Sequence, residues 1–170
     1  MARHRDATPP KTALQVKAEL EDYFGDESNY PNSIEFDDHD ESTPEINDLS
    51  DEEYDAMGGG QHVMGDHGPA VFCDSWARFV VAALPERAKK MGFWMHGAGG
   101  INYEDNDESA LADYCDGHAF AVVDDRFIVD GWLKNVEGLS RQAVFDMQDP
   151  ADAQQIRHFY GNPQTWHEDE

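Results

Sequence analysis

Cys73, His118 and Asp130 are the three residues whose types and spacing could carry covalent chemistry. Cys73 stands directly before an apolar-striped segment, DSWARFVVAAL, at or just before the start of a helix. Free first-turn N–H groups and the helix dipole favour a thiolate there, and a thiolate attacks carbonyl carbon far better than a thiol. His118 opens the run HAFAVV, where an imidazole can act as general base and then return the proton to a leaving group. Asp130 ends the next apolar run, and its carboxylate would accept from the second ring nitrogen and fix the tautomer.

These roles depend on elements that bring the three together. Trp76, Phe79, Val80 and Ala83 recur at helical spacing, so the segment opened by Cys73 reads as a helix. Pro85 ends it, or restarts it as a second short helix over PERAKKMG. Residues 97–116 read mostly as loop. Strands are expected over His118–Val123 and Phe127–Trp132, with Asp124 and Asp125 in the turn. Parity matters here. A two-residue loop would send His118 and Asp130 to opposite faces, whereas a three-residue loop, Asp124–Arg126, sets them diagonally on one face. A third amphipathic helix is expected over Lys11–Phe24, entered by Pro9–Pro10 and left by Gly25. A fourth follows Asp149–Pro150 and closes at Gly161, and the terminal HEDE reads as a solvated acidic end.

Cys73-Asp-Ser-Trp76 resembles the nucleophile region of papain-like cysteine peptidases. His118-Ala-Phe, a turn, and Phe-Ile-Val-Asp130 resemble the core of transglutaminase-like thiol enzymes. The resemblance spans about residues 61–132. It implies an α+β fold, with the Cys-bearing helix packed on an antiparallel sheet that carries His and Asp. It implies a Cys73 acyl-enzyme with His118 as base and Asp130 as orienter, and needs no cofactor. Papain-like peptidases carry a glutamine a few residues before the cysteine as oxyanion donor. His67, Gln61 and the Cys73 backbone N–H are the candidates here.

Blander readings stand beside this one. Cys73 alone is equally a buried core cysteine, and Asp130-Gly131 an ordinary turn. Cys115 and His118 have the spacing of half a zinc site, but no second close pair completes it, so no metal is expected.

The chain has 170 residues, 36 acidic against 12 basic, and a formal net charge of -24. Such acidity repels phosphate backbones and anionic lipid, so neither nucleic acid nor membrane surface is an expected partner. A protein or peptide substrate, basic by complementarity, is expected instead. The charge serves as solubility insurance, as a docking surface, or as an imitation of nucleic-acid phosphates. No apolar run approaches the ~20 residues of a membrane helix, and MARHRDATPP lacks a secretory apolar stretch. A reducing cytoplasm and two free thiols are therefore expected.

From Asp26 to His62 there are 13 acidic residues and no Lys or Arg. The expected organisation is an N-terminal helix over 1–25, an acidic arm over 26–62 held loosely or by docking, and an α+β domain over 63–170. A second function class follows from that arm: a non-enzymatic inhibitor or nucleic-acid mimic that captures a basic partner through residues 26–55.

Overall fold

A computed structural model of the chain describes residues 10–30, 73–135 and 138–168. The acidic arm beyond Tyr30, together with Gln61 and His67, lies outside the described residues.

Helix α1 (Ala13–Phe24) begins with a reciprocal cap. The Thr12 hydroxyl accepts from the Gln15 backbone N–H, and the Gln15 side chain accepts from the Thr12 N–H. Leu20 and Phe24 form its buried stripe. After Gly25, a single 3₁₀ turn capped by Asp26 delivers Tyr30 back into the core. Its hydroxyl donates to the Phe24 carbonyl, and its ring packs on Trp76 with centroids 3.7 Å apart. Asp26–Tyr30 therefore belongs to the packed body.

Helix α2 (Cys73–Ala83) buries Ser75, Trp76, Ala77 and Val80. The chain beyond Pro85 does not resume a helix. It forms strand β1 (Ala88–Trp94), antiparallel to β2 (Gly117–Val123) with Gly92 opposite Ala119 and Phe93 opposite His118. The physical reason is Lys90. It points inward, almost fully buried, and its ammonium pairs with Asp74 on α2 at 2.7 Å. A strand with an inward lysine lacks the apolar alternation by which strands are recognised.

From His118 onward every residue of β2 is buried. A strand covered on both faces reads as a continuous apolar run, as HAFAVV does. Strand β3 (Phe127–Val129) is shorter than the expected Phe127–Trp132. It stops because Asp130 turns its carboxylate onto the Leu133 N–H at 3.1 Å, which starts the short helix α3 (Gly131–Asn135). Gly131 is needed at this bend, since a Cβ there would collide with the Trp76 ring and the Tyr30 hydroxyl.

Strand β4 (Val144–Asp146) leads to α4 (Pro150–Tyr160), capped by the Asp149 side chain on the Ala151 N–H. Gly161, at φ 56°, ends it. The chain then returns to the sheet: β5 (His167–Glu168) pairs with β1 at Gly92 and Met91, so HEDE does not begin as a free tail.

The architecture is α+β, one antiparallel sheet in the order β4-β3-β2-β1-β5. Helix α1 packs across β3 and β4, and α2 across β1 and β2. Phe79 of α2 joins the helices by touching the rings of Tyr23 and Phe24. On the opposite face, Phe120 and Phe145 pack against Tyr160 of α4. Among the described residues no helix is long and apolar enough to cross a membrane.

Candidate active site

Cys73 is the first residue of α2 and is only partly buried. Its sulfur accepts the backbone N–H of Ala119 at 3.4 Å. That donor, with the N-terminal end of the helix dipole, offers positive potential to a thiolate. The close approach is possible because this face of the sheet carries Gly92, Ala119 and Ala121 where α2 crosses.

The β2–β3 hairpin sets the geometry of the other two. Val123 pairs with Phe127 and Ala121 with Val129, so the loop is the three residues Asp124–Arg126. Asp124 and Asp125 occupy the left-handed region at φ 54° and 52°, which aspartate tolerates better than most side chains. Arg87 and Lys89 at the start of β1 pair with these two carboxylates. With this loop length, Asp130 falls diagonally beside His118 on the same face. His118 Nε2 and Asp130 Oδ2 are 2.7 Å apart, and both side chains are essentially sealed from solvent.

Asp130 is held by more than the histidine. The Tyr160 hydroxyl donates to the same Oδ2 at 2.9 Å, and the Leu133 N–H donates to Oδ1. Burial pushes the Tyr160 hydroxyl well above its ordinary range, and the Asp130 charge adds to this, so Tyr160 stays a donor. Tyr160 escaped the sequence reading. Its one signal is a tyrosine four residues after Ile156 on the apolar stripe of α4, where a buried hydroxyl needs a partner.

The His118 ring sits among Phe93, Phe120, Trp132 and Tyr160, with centroids 5.1 to 6.1 Å away. Burial alone would lower its pKa. The Asp130 charge and hydrogen bond outweigh burial, the Cys73 thiol adds to them, and the result is raised to about 10. The second nitrogen, Nδ1, is buried and makes no hydrogen bond of ordinary geometry among the described residues. The thiol is near enough to act on the ring but short of a formed bond, as loosely set pairs in unliganded sites are.

The structure thus brings Cys73, His118 and Asp130 into one cluster and adds Tyr160. Cys115 stands apart, its thiol donating to the Leu111 carbonyl at 3.5 Å. Among the described residues no group of three His, Cys, Asp or Glu side chains is placed to hold a metal ion. Compared with known proteins, the chain matches no family model, no curated protein and no solved structure.

Proposed function

We propose that the protein is a thiol-dependent hydrolase or acyl transferase built on a papain/transglutaminase-like core. Its substrate is a peptide, isopeptide or side-chain amide. The observation that carries this reading is the buried histidine clamped by Asp130 through Nε2, its remaining nitrogen left for a thiol at a helix start. Most buried structural histidines have both nitrogens satisfied by fixed partners.

The chemistry follows from the arrangement. Asp130 stabilises the charged ring, so His118 can carry the Cys73 proton. The thiolate attacks the substrate carbonyl and a C–S bond forms. His118 gives its Nδ1 proton to the departing amine as the C–N bond breaks, leaving a thioester on Cys73. Neutral His118 then takes a proton from water or from an acceptor amine as that group attacks the thioester, and the thiolate leaves. The Cys73 and first-turn N–H groups are the nearest backbone donors a developing oxyanion on this carbonyl would have. Asp130 holds the tautomer throughout, and Tyr160 with Leu133 holds Asp130.

The test is thiol reactivity. At pH 6, Cys73 should react with iodoacetamide much faster than Cys115, and His118→Ala should abolish the difference. Equal slow labelling of both thiols in the unaltered protein would remove the proposal.

A further inference from the structure

The face of the sheet that α2 crosses continues past Cys73. Paired residues on neighbouring antiparallel strands share a face, so Ala119, Gly92 and His167 form one row, and Gly117 with Trp94 the next. The two glycines act as a floor. A Cβ on Gly117 would strike the Trp94 ring, and one on Gly92 would meet the His167 ring. Both rings lie over this face, and the Cys73 sulfur takes the Ala119 N–H in the plane of the sheet beside it.

Trp94 and His167 stack nearly parallel, 11° between planes, and Tyr103 closes on His167 with centroids 4.1 Å apart. Trp94 and Tyr103 are nevertheless 37% and 43% exposed, so part of each residue stays open to a ligand. Strand spacing puts the Trp94 backbone roughly 8 Å from that of Ala119, about the span of two extended residues.

The surroundings are acidic. From Met91 to Asp125 the chain contains no Lys or Arg, while Glu104, Asp105, Asp107, Glu108, Asp113 and Asp116 fall in the loop that carries Tyr103. Glu168 flanks His167. Asp105 and Asp107 accept from the Gly97 and His96 N–H groups, which fixes the loop while keeping its charge. Partly exposed aromatic rings in a negative field attract cations: the ring quadrupole and the carboxylates act in the same direction.

We infer that Trp94, Tyr103 and His167 form a subsite for a Lys or Arg side chain of a polypeptide substrate, about two residues from the carbonyl attacked by Cys73. The inference rests on the thiol-enzyme reading and narrows it to basic polypeptides.

Acetyl-tripeptide chloromethyl ketones test it. Each carries Lys, Arg, Glu, Leu or Phe at one position and Ala elsewhere. The Cys73 thiolate displaces chloride, and the mass gain of the full chain gives the rate. Lys or Arg at one position should react about five- to thirtyfold faster than Glu there, the range that one cation–π contact in a negative field supports. The ratio should shrink in 0.5 M NaCl and collapse toward one in Trp94→Ala; Tyr103→Ala, on an exposed loop, gives a second perturbation if the first impairs folding. Equal rates across the series, a preference for Leu or Phe, or a basic preference that survives both variants would overturn the subsite.

A non-covalent arm separates the two claims. Cys73→Ala is titrated with acetyl-Ala-Arg-Ala-amide and its Glu counterpart, following the Trp94 indole N–H by NMR. A shift with Arg only, alongside an inert Cys73 in the unaltered protein, keeps the subsite and removes the enzyme. Ready labelling with no basic preference and no indole shift does the reverse.

Discussion

Replacing Asp130 with Asn keeps the shape of the side chain and removes its charge. In the structure that charge faces His118 Nε2 at 2.7 Å and overcomes burial to raise the imidazole from 6.5 to about 10. Without it burial, which favours the neutral ring, is opposed only by the Cys73 thiol. The thiol then loses its counter-charge. An unassisted thiol with the ordinary pKa of ~8.5 is about 0.3% ionised at pH 6, so a fully paired thiolate could react up to ~300-fold faster. A stabilised thiolate is intrinsically less nucleophilic, which takes back part of that gain. Asp130→Asn should therefore slow Cys73 alkylation at pH 6 by roughly ten- to a hundredfold. The two proteins should converge above pH 9, where an ordinary thiol ionises unaided. The assay is a pH profile of iodoacetamide labelling read by peptide mass, with Cys115 as internal reference and circular dichroism to check folding. The unaltered protein should show a plateau where the variant shows a slope. Superimposable profiles for the two would refute the electrostatic argument.

Three other outcomes follow from the same contacts. Because the folded-state pKa of His118 lies above its ordinary 6.5, the pair's contribution to stability is complete below that pH and is lost as pH rises toward about 10. Denaturant midpoints from pH 6 to 10 should show the gap between the unaltered protein and Asp130→Asn closing with pH. Tyr160→Phe removes one hydrogen bond to a buried carboxylate and should cost about 1.5–3 kcal/mol in urea unfolding. Gly131→Ala drives a methyl group into Trp76 and Tyr30; it should cost about 1–3 kcal/mol and, by displacing Asp130, also slow Cys73 alkylation at pH 6.

What the sequence revealed and concealed has a physical pattern. The Cys73 helix, β2 and α4 announce themselves because their signals are local: an apolar stripe, an unbroken apolar run, an Asp-Pro start with a Gly stop. The hairpin was legible only as a choice between loop lengths, since two adjacent aspartates fit either; the ladder at Val123 and Phe127 decides it. Strand β1 was hidden because Lys90 is neutralised by Asp74, a partner 16 residues away that no periodicity records. The early end of β3 was hidden because a carboxylate that can end a strand can also cap a helix, and Asp130 does both. Tyr160 was hidden for the same reason as Lys90: its significance lies wholly in a contact with a residue 30 positions earlier.

The clamp on His118 draws on parts of the chain that are made at very different times. Synthesis delivers the nucleophile first, then the imidazole and its acid, and last the tyrosine that steadies the acid. A polypeptide interrupted before Tyr160 would own a sulfur capable of attack without the support that orients its proton carrier. Reactivity of this kind arrives with completion of the fold, and it should vanish together with the fold when α4 is peeled away.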